Sequence, residues 1–355
     1  MDLRRKVYIA AGTYTVSLGT GRKEFHPRKP RPGIEEYIQK AGQGVLSQIS
    51  SPDVIDECVL GNFMGARFVR QGHLSSLMPT IHPSLAYKPS TRVEGACASG
   101  GLAVFTGIKS VLAEVSDVVL VVGVEVQNTV KAIYGADILA GAGHYASQRK
   151  DGHAYFFPNL FSDRAGACYK KYGQEKVRKA MAQWYVNAIE GARRCPEAQE
   201  YHNSTEDLFK LGSMSPNPKG FVEHLNLFDC SKVSDGAAGL IVCSEEGLKK
   251  CGIDKKDAVE VSGVGTSAAD LTKLPEDPTD LATSRSAVVK AYDVAGIGVN
   301  DLSFAEVHDC FSVTGILMAE ATQICAQGEG FDMIAEGKTS LKGDFPLNLS
   351  GGLVG

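Results

Sequence analysis

The stretch VVLVVGVE, residues 118–125, carries no polar side chain before its final glutamate. A strand built from it has no solvent face, so other elements must cover it on both sides. It is far too short to cross a bilayer as a helix, which takes about 20 residues. Other strand-like runs occur at residues 7–10, at 57–62 (ECVLGN), at 236–245 (GAAGLIVCSE) and at 258–267 (AVEVSGVGTS). Helical spacing separates them. Residues 34–49 have it, and Leu102, Phe105, Ile108, Leu112 and Val115 recur every three or four positions to form one apolar face. Apolar strands alternating with amphipathic helices predict an α/β layered fold whose sheet is covered on both faces.

The pattern changes over residues 127–232. Glycine, proline, histidine, tyrosine and asparagine become frequent, as in GAGHYASQRKDGHAYFFPN and LGSMSPNPKG, with a helical piece at 176–193. Plentiful aromatic residues mark this as a loop-rich inserted domain rather than a disordered linker. The reading is therefore an N-terminal half over 1–126, a loop domain over 127–232, a return strand and helix over 233–256, and a second half over 257–355. In that second half, ADLTKLPEDPTDLA reads as a loop and 284–295 as a helix. A strand at 302–307 (LSFAEV) runs into HDCFS and a helix carrying Val313, Ile316, Leu317 and Glu320. A second strand–turn–helix thus carries Cys310 at its turn as the first carries Cys97, a hint of two related halves.

Composition narrows the classes. With 355 residues, 43% hydrophobic and 22% charged, the chain can bury a sizeable core. A net charge of −4 gives no reason to expect nucleic acid or an anionic membrane as a bulk partner. Nine cysteines without a CxxC pair argue against a secreted disulfide framework and a zinc ribbon, and for a reducing compartment. The N-terminus, MDLRRKVYIAAGTYT, has no apolar run long enough for a secretory signal.

VEGACASGG, residues 93–101, allows two readings of Cys97. A free cysteine often packs as a small hydrophobe. At a helix start, however, unpaired backbone N–H groups and the helix dipole stabilise a thiolate. Ala98, Ser99, Gly100 and Gly101 then let a ligand or another backbone approach, and N–H groups can meet an oxyanion, as acyl transfer requires. The glycines also suit plain helix–strand packing. At the second turn, His308 could donate to an oxyanion and Cys310 could move protons. The alternatives are a satisfied loop histidine and a buried thiol. No second ligand pair at zinc spacing lies nearby, so no metal is expected.

Together these segments resemble the thiolase family, specifically its sterol-carrier-protein type. The resemblance rests on VEGACASGG with its helix and VVLVVGVE, on FPNLFSDRAGACYKKYG, SDGAAGLIVCSEE, EVHDCFS and NLSGGLVG, in the family's order over most of the chain. HDCF is the specific element, because most other thiolases have Asn-Glu-Ala-Phe there. The resemblance implies an αβαβα sandwich of two similar halves with a loop domain inserted in the first. It implies a homodimer and thiolytic cleavage of a 3-oxoacyl-CoA, or the reverse Claisen condensation, in lipid and fatty acid metabolism. Coenzyme A and acyl-CoA are then substrates, and no further cofactor is expected. By motif, Cys97 would become the acyl-enzyme and its backbone N–H would serve the second oxyanion hole. His308 would stabilise the thioester enolate in the first, and Cys310 would act as acid/base at the α-carbon. Ser231, by a looser match, would touch the pantetheine arm. The family's compartments imply a mitochondrion or peroxisome in a eukaryote, or the cytoplasm of a bacterium.

Two departures stand out. The family continues past Gly-Gly of NLSGGLVG into Gly-His-Pro, whose histidine takes the proton of the nucleophilic cysteine, whereas this sequence stops at Gly355. The expectation is a C-terminal truncation of a thiolase. The alternative is a thiolase-like CoA-ester or lipid-binding protein that lacks this histidine and does not turn over. Where relatives carry Asn-His and later Asn-Pro, the chain reads YVNAIEGARRCPEAQ, which leaves the acyl or pantetheine channel open in shape. Decarboxylating condensation of the ketoacyl-synthase kind uses a cysteine with two histidines, which His308-Asp309-Cys310 fits poorly.

Overall fold

The computed structural model describes residues 3–149 and 154–355. Residues 1–2 and 150–153, the latter within the predicted loop domain, lie outside the described residues. The chain divides into two compact units. The first comprises Met1–Leu18, Phe25–Ile138 and Ser234–Val264, and the second Gly19–Glu24, Leu139–Val233 and Gly265–Gly355.

The first unit is organised by one sheet. Its strands are β1 (Tyr8–Tyr14), the short β2 (Leu18–Gly19), β3 (Glu57–Gly61), β4 (Ser90–Val93), β5 (Val118–Glu125), β6 (Ser234–Cys243) and β7 (Val259–Glu260). Along the sheet they run β4-β3-β5-β6-β1-β7, with β2 paired to β6. β3 pairs in parallel with both β4 and β5, while β6 runs antiparallel to β5 and β1. Helices α1 (Ile34–Leu46), α2 (Gly65–Phe68), α3 (Ser99–Leu112), α4 (Ala132–Leu139) and α9 (Glu245–Cys251) accompany it.

β5 is buried on both faces, as its composition requires. Strand alternation divides its side chains between two layers. Val118, Leu120, Val122 and Val124 pack with Ile34, Tyr37, Ile38, Ala41 and Val45 of α1. Val119 and Val121 pack with Ala103, Ile108 and Val111 of α3. The α3 face differs from the expected one. Its buried positions are Ser99, Ala103, Gly107, Ile108 and Val111, and Val115 lies beyond the helix end, 76% exposed. Small residues win because α3 lies close on the sheet: a side chain on Gly107 would come 3.2 Å from Val121 Cγ2.

The second unit is mainly helical. It holds α5 (Tyr145–Gln148), α6 (Phe156–Tyr172), α7 (Gln174–Ala192), α8 (Leu208–Gly212), α10 (Ala282–Ala295), α11 (Ser312–Ala321) and α12 (Gly330–Ala335). Its core joins α6, α7, α11 and α12 through Ala165, Cys168, Met181, Trp184, Ile189, Ile316, Leu317, Phe331 and Ile334. The strand expected at 302–307 does not form. Ala305 makes a single parallel bridge to Leu347, and the neighbouring backbone is held by side chains instead. The strand expected at 258–267 is reduced to the two residues of β7. An apolar alternation becomes a strand only where a partner backbone runs alongside it.

The layer account predicts that Leu120→Ala, which empties a site wholly buried between sheet and α1, costs about 2–5 kcal/mol. Val115→Ala should stay within about 0.5 kcal/mol. Urea midpoints for the two variants check both.

Candidate active site

Cys97 stands at the exit of β4, in a 3-10 turn over Ala96–Ala98 that leads into α3. Ala96 has φ of 50°, a left-handed conformation that costs a residue with a side chain about 1–2 kcal/mol. The turn is held by local bonds. Glu94 Oε1 accepts from the Ala96 N–H at 2.5 Å, and Ser99 Oγ accepts from the Gly95 N–H at 3.0 Å. The Ser99 hydroxyl also donates to the Ala96 carbonyl at 2.7 Å. Gly61, at the end of β3, is required by the same turn, because a side chain there would lie 2.6 Å from the Ser99 carbonyl oxygen. The strained Ala96, fixed by its neighbours, thus stands directly beside an exposed thiol.

The electrostatics differ from the simple helix-start expectation. Desolvation by the protein around Cys97 pushes its thiol above the ordinary range. A bond to its own backbone N–H pulls it down, and a charge on Glu125 opposes the thiolate. Glu125 closes β5, accepts from the Phe63 N–H at 2.8 Å, and has its own carboxyl raised by burial. Arg92 Nη2 bonds the Asn62 and Phe63 carbonyls at 3.1 and 2.8 Å, tying the ends of β3 and β4 together. Cys97 is therefore reachable, with its thiol held above the ordinary range.

The second unit brings together the other three residues singled out in the sequence. Cys230 bridges to Phe311 in antiparallel fashion, which sets Ser231 opposite Cys310, and the Ser231 N–H donates to the Cys310 carbonyl at 3.0 Å. Asp229, fully buried, accepts from Arg178 Nη1 at 2.6 Å and from Ser312 Oγ at 2.9 Å, so the turn is anchored just past Cys310. Phe161 of α6 stacks on Phe311 with ring centroids 4.4 Å apart. Burial lowers the His308 imidazole below its usual value, which favours the neutral ring at neutral pH. A neutral ring keeps one N–H to donate to a developing oxyanion.

Sequence reasoning passed over Glu125, Asp229 and Trp184, and named Asp309 in its cluster without giving it a role. Glu125 was signalled by being the one acid that ends a wholly apolar strand, and Trp184 by being the single tryptophan. Among the described residues no group of three or more His, Cys, Asp or Glu could hold a metal ion, and no helix is long and apolar enough to cross a membrane.

The rate of Cys97 alkylation by iodoacetamide should keep climbing with pH beyond the range in which an unperturbed cysteine levels off. A plateau near neutrality would contradict the raised thiol. Peptide mapping assigns the rate to Cys97.

Comparison with known proteins identifies the family and the fold. The family model "Thiolase, N-terminal domain" matches residues 33–204, and "Thiolase C-terminal domain-like" matches 263–355. An acetyl-CoA acetyltransferase of Methanothermobacter thermautotrophicus is 33% identical over 322 residues, covering 90% of this chain and 80% of that protein. Sterol carrier protein 2 of Homo sapiens is 24% identical over 95% of this chain and 61% of its own length. The crystal structure of human mitochondrial 3-ketoacyl-CoA thiolase in complex with CoA shares the fold, with a TM-score of 0.67, 17% identity and coverage of 100% of this chain and 87% of that one. The chain belongs to the thiolase superfamily, in its sterol-carrier-protein type, a family of acyl-CoA acyltransferases.

Proposed function

We propose that the protein transfers acyl groups between 3-oxoacyl-CoA and coenzyme A through a Cys97 acyl-enzyme, by thiolytic cleavage or the reverse Claisen condensation. The observation that carries this reading is the strained turn at Ala96, which presents an exposed thiol directly before the N-terminus of α3. Family membership supports the same chemistry.

In the cleavage direction a base first takes the Cys97 proton, and the thiolate attacks the 3-oxo carbon. The bond to the α-carbon breaks, leaving an acyl-enzyme and the enolate of the shortened CoA ester. Cys310 gives that α-carbon a proton, and His308 donates its N–H to the enolate oxygen. The thiolate of CoA then attacks the acyl-enzyme and releases Cys97. Ser231, opposite Cys310 in the second unit, is assigned to the pantetheine arm. The homodimer belongs to the same proposal: β4 forms one edge of the sheet and leads directly into the Cys97 turn, and strand edges are templates for pairing. A role in lipid metabolism inside the cell follows from the substrate class.

The raised Cys97 thiol favours one second reading, a CoA-ester binder without turnover. Thiolysis of acetoacetyl-CoA separates the two. Cys97→Ser should lower kcat by about ten-thousandfold or more, as loss of a nucleophile does. His308→Ala should lower it by about 10²–10³, the effect of one oxyanion donor. Saturable binding of the ester by an inactive wild-type chain would establish the second reading instead.

A further inference from the structure

The residue between His308 and Cys310 faces the other way. Along an extended backbone, alternate residues point to opposite sides. Asp309 is 0% exposed, while His308 and Cys310 are each partly exposed. Its carboxylate is engaged from distant parts of the chain, by Trp184 and by the 348–354 segment, where the Asn348 side chain and the Leu353 and Val354 N–H groups reach it. Trp184 Nε1 of α7 donates to Oδ2 at 2.9 Å, and the Leu353 N–H donates to Oδ1 at 2.6 Å. Burial pushes the Asp309 carboxyl up to about 7, and among the described residues no ion pair reaches it as Arg178 reaches Asp229.

The surroundings are built to this carboxylate. Gly352 has φ of +62°, and a side chain there would stand 2.5 Å from Asp309 Oδ1. Gly351, at φ +104°, lies so close to α7 that a side chain would meet the Ala188 carbonyl at 2.8 Å. The Gly-Gly pair is thus pressed between α7 and Asp309. Gly315 of α11 gives room to the Trp184 ring, which a side chain would approach to 2.2 Å. Upstream, Asn348 Oδ1 accepts from the Val307 N–H at 2.7 Å and Asn348 Nδ2 donates to the Val307 carbonyl at 3.0 Å. The Leu349 N–H donates to Glu306 Oε1 at 2.9 Å. Helix α7 therefore braces the turn twice. Trp184 holds it before Cys310 through Asp309, and Arg178 holds it after Cys310 through Asp229 and Ser312.

We propose that Asp309 is a positioning residue: its buried carboxylate locks the His308–Cys310 turn to α7 and to the 348–355 loop as one unit. Only the effect on turnover rests on the acyltransferase reading, and the local order is measured without it. Trp184 and the loop bond different oxygens of Asp309, so in Asp309→Asn the amide nitrogen, which carries hydrogens of its own, must face one of these N–H donors.

Hydrogen exchange resolved by peptide tests this on the full chain. Asp309→Asn should speed exchange at least tenfold in 306–312 and 350–355 together, and shift the emission of the single tryptophan. Peptides of β5 should be unchanged, and kcat for thiolysis should fall more than KM rises. Unchanged exchange in either segment, or equal acceleration throughout the chain, overturns the proposal. If Asp309→Asn does not fold, Trp184→Phe decides. It removes one donor and leaves the carboxylate, so exchange over 306–312 should rise while 350–355 stays protected, and any other pattern overturns the proposal. Normal exchange with lost turnover in His308→Ala would mark a fault of chemistry rather than of position.

Discussion

A strand with no polar face requires a covering layer on each side, and β5 imposes that requirement on the first unit. Its even-numbered residues bury against α1 and its odd-numbered ones against α3. Each fully buried Val or Leu contributes about 1.5–3 kcal/mol. This burial fixes α3 on the sheet, which forces small residues onto the α3 face and glycine at position 61. The start of α3 is then positioned to within a side chain's width, and Cys97 precedes it in a turn held by Glu94 and Ser99. Core packing thereby determines where the thiol stands.

The second unit solves a similar positioning problem with buried polar groups. Two carboxylates, Asp309 and Asp229, receive the bonds that Trp184 and Arg178 of α7 send toward the turn around Cys310. Such groups are costly unless satisfied, so they specify one arrangement more sharply than apolar contacts do. A loop so anchored can present His308 and Cys310 without a strand beneath them, which is why a single bridge at Ala305 suffices. Breaking either anchor leaves a buried group unpaired, and the penalty falls on the residues proposed to do chemistry.

Much of the architecture was readable because it follows local periodicity. The apolar runs at 57–62 and 236–245 became β3 and β6, and the helix carrying Val313, Ile316 and Leu317 became α11. VEGACASGG and HDCF identified the candidate cysteines and histidine. What could not be read depends on partners remote in sequence. The alternation in LSFAEV is strand-like, yet its backbone meets Pro346 and Asn348 through one isolated bridge and an amide side chain rather than a full strand. The helix start suggested an easily ionised Cys97, but the desolvating surroundings and Glu125 are tertiary facts. Asp309 looked like the spacer in a motif, and only its contacts with Trp184 and Leu353 give it a task.

The central claim is that Cys97 carries the acyl group. Incubation with acetyl-CoA followed by intact mass measurement and peptide mapping tests it directly. The account predicts one acetyl group per chain, located on Cys97 and absent from Cys97→Ser. An unmodified chain that still binds the ester saturably, or an acetyl group on any other residue, would contradict it.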